Sequence, residues 1–271
     1  MSGRMRRACG AVFALVLVFS VGRIGLRLWD YQYTELARQQ ARAQADGSAQ
    51  TPPRTDQLPA EGPDVPDETF LPPDEHMVRL LDMDLSQLHR TNPDVLGWIT
   101  IPGTQLDYPF LQGEDNQYYL QHTWQGKPSA AGSVFLECKV SPDFSHFNTI
   151  IYGHNMKNGS MFGSLQQYRT QSHYQDYPSI YVADDAGVRR YDIFAAFEAE
   201  VIGHTYRLDL DTPEKKQVFL DYSAARSVIQ TGIKPTAEDS VITLSTCTGI
   251  GYDCRWVVQA VLAQTLTARE R

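Results

Sequence analysis

The segment that decides the fold is VITLSTC (residues 241–247), which a short polar connection joins to CRWVV (residues 254–258). Both segments are rich in β-branched and apolar residues, so they predict two strands joined by a loop. Cys247 stands where the first strand ends, and Arg255 stands where the second begins. Because a short loop brings the facing ends of two strands together, we expect the thiol and the guanidinium to open onto one pocket.

A thiol in this position has two interpretations. A fixed positive charge beside a thiol favours the thiolate, which is the nucleophilic form of cysteine. The alternative is that Cys247 is a small buried apolar residue, since free cysteine is among the most buried residue types. This motif by itself leaves both interpretations open.

A histidine follows another predicted strand. The apolar segment NTIIY (residues 148–152) is followed directly by Gly153 and His154. A histidine at a strand end is held rigidly and stays accessible, so it suits the general acid or base that a cysteine nucleophile needs. An isolated histidine is usually structural or solvated. It is the combination with Cys247 and Arg255 that indicates a catalytic set.

The same residues carry a family resemblance. TLSTC (residues 243–247) resembles the TLxTC signature of sortases, the membrane-anchored cysteine transpeptidases of Gram-positive bacteria. The order of His154, then this signature, then Arg255 is also similar to theirs. The resemblance is to class B sortases in particular and covers roughly residues 74–264. It is carried further by NPDVLGWI (92–99), IPGT (101–104), DNQYYL (115–120) and NTIIYGHNM (148–156).

The resemblance implies a reaction and roles for single residues. Cys247 would be the nucleophile, His154 the general acid or base, and Arg255 the group that binds substrate or stabilises the oxyanion. The enzyme would cleave a sorting signal in secreted proteins, form a thioester and transfer the protein to an amine of a peptidoglycan precursor or another acceptor. Four more positions resemble substrate-contacting positions of the family: Ser245, Tyr152, Asn116 and Leu120. The alternative for these four is ordinary packing or, for an amide, a satisfied loop contact. The alternative for Arg255 is an ion pair with Asp253.

The rest of the chain predicts a mainly β fold. About eight short strand-like segments, many separated by Gly, Pro or Asn, lie between residues 96 and 263 and favour a closed or nearly closed barrel. Helical periodicity is predicted over residues 74–91, 161–169 and 212–231, the last beginning with Thr212 as cap and Pro213 in the first turn. The resemblance implies the same plan: a sortase-type eight-stranded barrel with N-terminal helices and a long helix before the cysteine-bearing strand.

The N-terminal part predicts attachment to a membrane. Residues 1–29 contain five arginines and no acidic residue, and residues 8–22 are apolar or small. This pattern predicts a single-pass anchor with a cytoplasmic N-terminus and an extracellular catalytic domain over residues 74–271. A cleaved signal peptide is the alternative. Residues 30–73 are predicted to form a juxtamembrane helix and a linker, because residues 47–73 hold seven prolines.

Composition excludes several functions. The formal net charge is −8, although residues 1–29 are basic, so the acidic body argues against non-specific binding of nucleic acid. Four cysteines do not make a disulfide scaffold in a chain of 271 residues. The spacing of Cys247 and Cys254 does not suit a zinc knuckle, and no acidic cluster resembles the calcium site of class A sortases. We therefore expect neither a metal nor a cofactor.

Competing functions differ in what they require of the catalytic set. A pilus-type sortase that joins subunits, or a hydrolase of the same fold, would use the same residues with a different resolving nucleophile. A papain-like protease would place its cysteine before its histidine, commonly at a helix start. A non-catalytic anchored scaffold would need no aligned cysteine, histidine and arginine.

Overall fold

The computed structural model describes residues 32–46, 74–247 and 253–267. Eight strands form a closed barrel, as the sequence predicts. Their bounds are β1 Val95–Thr100, β2 Asp107–Leu111, β3 Val134–Leu136, β4 Asn148–Tyr152, β5 Ser179–Asp184, β6 Gly187–Glu200, β7 Val241–Cys247 and β8 Cys254–Thr267. Around the barrel the order is β1-β2-β3-β4-β7-β8-β6-β5.

The strand pairing brings distant segments to one edge of the barrel. Strands β2 and β3 are parallel, as are β4 and β7, while the other neighbours are antiparallel. In the parallel pair Tyr152 lies opposite Ser245, and in the next pair Cys247 lies opposite Arg255. The end of β4, the end of β7 and the start of β8 therefore meet.

A buried polar network holds these three strands in register. Asn148 of β4 accepts a hydrogen bond from the Thr243 hydroxyl of β7 at 2.7 Å, and Gln259 of β8 donates to that hydroxyl at 3.0 Å. The Asn148 amide also donates to the main-chain oxygen of Thr205 at 3.1 Å. All four residues are buried, so a slip of one strand would leave several polar groups without partners.

Apolar side chains fill the barrel. The largest cluster includes Phe110, Ile151, Leu244 and Trp256, all fully buried. The indole nitrogen of Trp256 donates to the main-chain oxygen of Leu165 at 2.7 Å, which satisfies the one polar atom that this large side chain buries.

The first described helix, α1, covers residues 32–46. The helix predicted over residues 74–91 is two helices, α2 Glu75–Leu81 and α3 Ser86–Thr91. Asp74 caps α2 by accepting a hydrogen bond from the Met77 amide. Asp84 accepts from the Ser86 amide at 2.9 Å, and such a local bond competes with a continuous helix. The apolar residues of both helices still pack inward, since Met77, Leu80, Leu85 and Leu88 are all buried.

The other two predicted helices are shorter than expected. Residues 161–169 contain a 3-10 helix over Gly163–Arg169, and a short helix, α4 Gln171–Asp176, follows it. Helix α5 Pro213–Arg226 is capped by Thr212, as predicted, but it ends before Ser227, whose side chain bonds to the main chain of Ile229. Its buried residues are Phe219, Leu220 and Ser223. Val218 and Ala225 in the same helix are apolar but exposed.

Helix α1, which covers the described residues 32–46, packs on the barrel body. The sequence predicts a helix here without a strong apolar stripe, but a stripe of alanines at every fourth position, Ala37, Ala41 and Ala45, is buried. Small side chains let the helix approach closely, and its main chain accepts hydrogen bonds from the Trp124 indole at 2.8 Å and the Asp84 amide at 3.1 Å. Helix α1 thus belongs to the folded body, before the boundary predicted at residue 74.

We expect a chain beginning at residue 74 to be less stable than one beginning at residue 32. Removing α1 exposes the apolar surface under the alanines and leaves the Trp124 indole without its partner. The expected loss is on the order of 3–5 kcal/mol in the free energy of unfolding, measured with denaturant. As a control, Ala41→Gln in the longer chain should lower stability too, whereas the matched change Ala43→Gln on the exposed face should not. Equal stability of the two chains would contradict this prediction.

The prediction of a single-pass membrane protein is corrected by the length and apolar character of the described helices. Across residues 32–46, 74–247 and 253–267, no helix has the length and apolar character that crossing a membrane requires. This contradicts the prediction of a single-pass protein with an extracellular catalytic domain. The predicted anchor over residues 1–29 and the predicted linker over residues 47–73 lie outside the described residues.

Candidate active site

A cavity of about 350 Å³ opens where β4 and β7 end. Six of the seven candidate site residues line it: His154, Arg255, Ser245, Tyr152, Asn116 and Leu120. For the seventh, Cys247, the structure describes the main chain, which ends β7 opposite Arg255. A larger cavity of about 620 Å³ lies between α1, α2 and the β1–β2 connection, and it contains none of the seven.

His154 reaches the cavity because the chain runs on past β4 beside β7. The Gly153 amide donates to the main-chain oxygen of Ser245 at 3.2 Å, which extends the parallel pairing by one residue. Glycine is required there, since a Cβ atom would lie 2.6 Å from the Phe162 ring. His154 and Cys247 each follow the paired residues Tyr152 and Ser245 by two positions, so their main chains occupy matching places at the strand ends.

A hydrogen bond sets the tautomer of His154. Its Nε2 atom lies 2.8 Å from the main-chain oxygen of Leu120. A carbonyl oxygen only accepts, so Nε2 carries the hydrogen and Nδ1 is the nitrogen that can gain or lose a proton. Leu120, predicted as a substrate contact, therefore also orients the imidazole through its main chain.

Arg255 is the second residue of β8 and is half-buried. Its Nη1 atom donates to the main-chain oxygen of Cys254 at 3.1 Å, which holds the guanidinium close to the strand. Its position opposite Cys247 in the antiparallel pair places a permanent positive charge at the strand end that carries the cysteine. Such a charge favours a thiolate and stabilises a developing oxyanion.

The wall of the cavity contains a residue that the sequence did not indicate. Ser245 is buried, and its hydroxyl lies 2.8 Å from the hydroxyl of Tyr206, which also lines the cavity. Tyr206 belongs to a 3-10 helix, His204–Tyr206, in the connection after β6. A single tyrosine in a loop carries no periodic signal, so only the tertiary fold could identify it.

Asn116 and Tyr152 both bond to Glu137, a second residue missed as a site residue. The Asn116 amide donates to a Glu137 carboxylate oxygen at 2.7 Å, and the Tyr152 hydroxyl donates to the same oxygen at 2.9 Å. Burial, and secondly the neighbouring carboxylate, raise the pKa of the Tyr152 hydroxyl. The same two causes raise the pKa of the Cys138 thiol. Both groups therefore stay protonated near neutral pH and act as donors.

Comparison with known proteins agrees with this fold. A family model described as a Sortase domain matches residues 99–263. The chain is 37% identical to Sortase B of Listeria monocytogenes over 168 residues, which cover 60% of this chain and 67% of the relative. It is 33% identical to Sortase B of Staphylococcus aureus over 160 residues, covering 59% and 66%. The chain thus spans about two thirds of the length of these curated relatives.

Solved structures lead to the same family. A substrate complex of Staphylococcus aureus sortase B is similar with a TM-score of 0.63 and 31% identity, covering 66% of this chain and 84% of that one. Sortase B from B. anthracis is similar with a TM-score of 0.69 and 25% identity, covering 88% and 99%. The chain belongs to the sortase family of transpeptidases, and its relatives there are the class B sortases.

Proposed function

We propose that this protein is a cysteine transpeptidase that cleaves a sorting signal in secreted proteins and transfers the cleaved protein to an amine of the cell wall. The observation that carries the proposal is the parallel pairing of β4 with β7, which brings His154 and the end of the cysteine-bearing strand to one cavity. Arg255 lines that cavity from the adjoining strand β8.

The proposed reaction assigns one role to each of the three residues. The Cys247 thiolate attacks the carbonyl carbon of the scissile peptide bond, and Arg255 stabilises the negative charge that develops on the oxygen. Protonated His154 then donates a proton from Nδ1 to the leaving amine, and a thioester remains on Cys247. An incoming amine attacks the thioester and loses a proton to neutral His154. The carbon–sulfur bond then breaks, so that the Cys247 thiolate and protonated His154 are both restored.

The nature of the two substrates is proposed from relatives and from the cavity wall. One similar solved structure is a sortase B–substrate complex, and another is sortase B complexed with triglycine. A peptide carrying a sorting signal and an amine at the end of a peptide are the corresponding substrates proposed here. Ser245, Tyr152, Asn116 and Leu120, which line the cavity, are the proposed contacts of the sorting signal.

The test uses the full chain with a panel of quenched sorting-signal peptides, each with and without triglycine. Mass spectrometry follows the adduct on Cys247 and the products. We expect a thioester on Cys247 that transfers to triglycine. Cleavage with water as the only acceptor would favour a hydrolase of the same fold, and transfer to a lysine of a pilin-like subunit would favour a pilus-type enzyme. The absence of any adduct would overturn the proposal and favour a non-catalytic scaffold.

A further inference from the structure

Glu137 is a buried carboxylate in the cavity wall to which the proposed reaction gives no role. It follows β3 directly, and only 6% of its surface is exposed. One carboxylate oxygen, Oε2, accepts from Asn116 Nδ2 at 2.7 Å and from the Tyr152 hydroxyl at 2.9 Å. The other, Oε1, lies 3.2 Å from the donating Lys139 amide and 3.5 Å from the Cys138 thiol. Four donors therefore converge on one side chain.

A carboxyl side chain suits this place better than the amide of a glutamine. A buried charge is costly unless hydrogen bonds compensate it, and here both oxygens accept from two donors each. A carboxylate only accepts, so it dictates the direction of every donor around it. The oxygen of a glutamine could accept from one pair of donors. Its amide nitrogen would then face the other pair, and donor would meet donor there.

Two hydrogen bonds to the cavity wall fix the orientation of the Asn116 side chain. Its Oδ1 atom accepts from the Cys138 amide at 2.9 Å, while Nδ2 donates to Glu137. Both ends of the amide are thus engaged on the wall, and the orientation of oxygen and nitrogen is set. The Nδ2 atom has a second hydrogen, which suits a main-chain carbonyl of a bound peptide.

The contacts also determine which part of Tyr152 a substrate meets. Its hydroxyl donates to Glu137, and its ring lies 5.4 Å from the ring of Phe135, which lines the same cavity. Because the hydroxyl is directed to the carboxylate, the ring is what remains to contact an apolar side chain of the peptide. One carboxylate thus positions a polar contact and an apolar contact together.

We infer that Glu137 is a positioning residue for substrate recognition, which holds Asn116 and Tyr152 in the orientation that binds the peptide. The inference rests on the proposed function, since it concerns the same cavity. Glu137 acts through its neighbours, so its removal should change the KM for the peptide far more than the reactivity of Cys247.

The test is a double-mutant cycle between Glu137 and Asn116 in the full chain. We expect Glu137→Ala to raise the KM for the sorting-signal peptide about tenfold, with a smaller change in kcat. The rate at which iodoacetamide alkylates Cys247 should stay within about twofold of the wild type, because Glu137 does not activate the thiol. In an Asn116→Ala background, Glu137→Ala should raise KM by only about threefold, since one of the two side chains that it holds is gone and only Tyr152 remains to be misplaced. Glu238→Ala, at an exposed glutamate, is the control and should leave all three quantities unchanged.

The outcomes separate this inference from the proposed function. An active wild type whose KM is unchanged by Glu137→Ala, or raised equally in both backgrounds, would overturn the inference alone. A wild type that forms no adduct with any peptide would overturn the proposed function and the inference with it. Glu137→Gln provides a second variant, expected to raise KM by an intermediate factor. If both substitutions unfold the chain in thermal melts, Glu137 is a structural carboxylate and the inference is wrong.

Discussion

We expect Cys247→Ala to lower the turnover of a sorting-signal peptide by at least about 10⁴-fold in the full chain, because alanine has no thiol with which to attack the peptide carbonyl. The fold should persist, since the pairing of β7 with β4 and β8 uses main-chain atoms that alanine retains. Circular dichroism and the thermal midpoint should match those of the wild type. Mass spectrometry should find no peptide adduct at any time.

A matched cysteine in the next strand serves as the control for this substitution. Cys254 precedes Arg255 by one position in β8, so strand alternation directs its side chain to the opposite face. Cys254→Ala should therefore keep most of the activity. If Cys247→Ala retained more than about 1% of the wild-type rate, the proposed nucleophile would be wrong.

The second large effect is expected from Arg255→Lys, which keeps the charge and removes the planar guanidinium. We expect kcat to fall about 10²- to 10³-fold, the range found when one stabilising donor of an oxyanion is lost. A lysine ammonium cannot donate to Cys254 and to an oxyanion with the rigid geometry of the guanidinium fork. Single-turnover kinetics should place the loss in the formation of the acyl adduct.

Arg226→Lys is the control for this change, because Arg226 is an exposed arginine at the end of α5, over the ring of Tyr222. It should leave kcat and KM close to the wild-type values. A rate for Arg255→Lys within about threefold of the wild type would mean that Arg255 contributes only charge or structure.

The strands of the barrel could be predicted because each one carries a local signal. Runs of β-branched and aromatic residues such as 241–247 and 148–152 lie within two residues of the observed strands. The parallel pairing of β4 with β7 could not be predicted in this way, since no local pattern specifies which strands become neighbours. The combination of His154 with Cys247 was expected from their positions at strand ends and from the family resemblance, and the register of β4 against β7 adds a physical reason why these two strand ends meet.

Other features depend on tertiary contacts that periodicity does not record. The alanine face of α1 is too weakly apolar to stand out in the sequence, yet it is fully covered by the barrel body. In α5, the exposed Val218 and the buried Ser223 show that the fit against β6 outweighs hydrophobicity. Glu137 was not predicted as a site residue, because a single acidic residue after a strand carries no signal of its contacts. Its importance follows from four donors that come together only in the folded chain.

The closure of the barrel has a consequence for the order of folding. Strand β4 pairs with β7 across about 90 intervening residues, and β8 joins β7 to β6. Contacts so distant in sequence carry a large entropic cost of loop closure and are formed late. During synthesis almost nine tenths of the chain emerge before β7, the strand that bears Cys247. The proposed catalytic set of His154, Cys247 and Arg255 is therefore complete only when β7 and β8 have been inserted into the barrel.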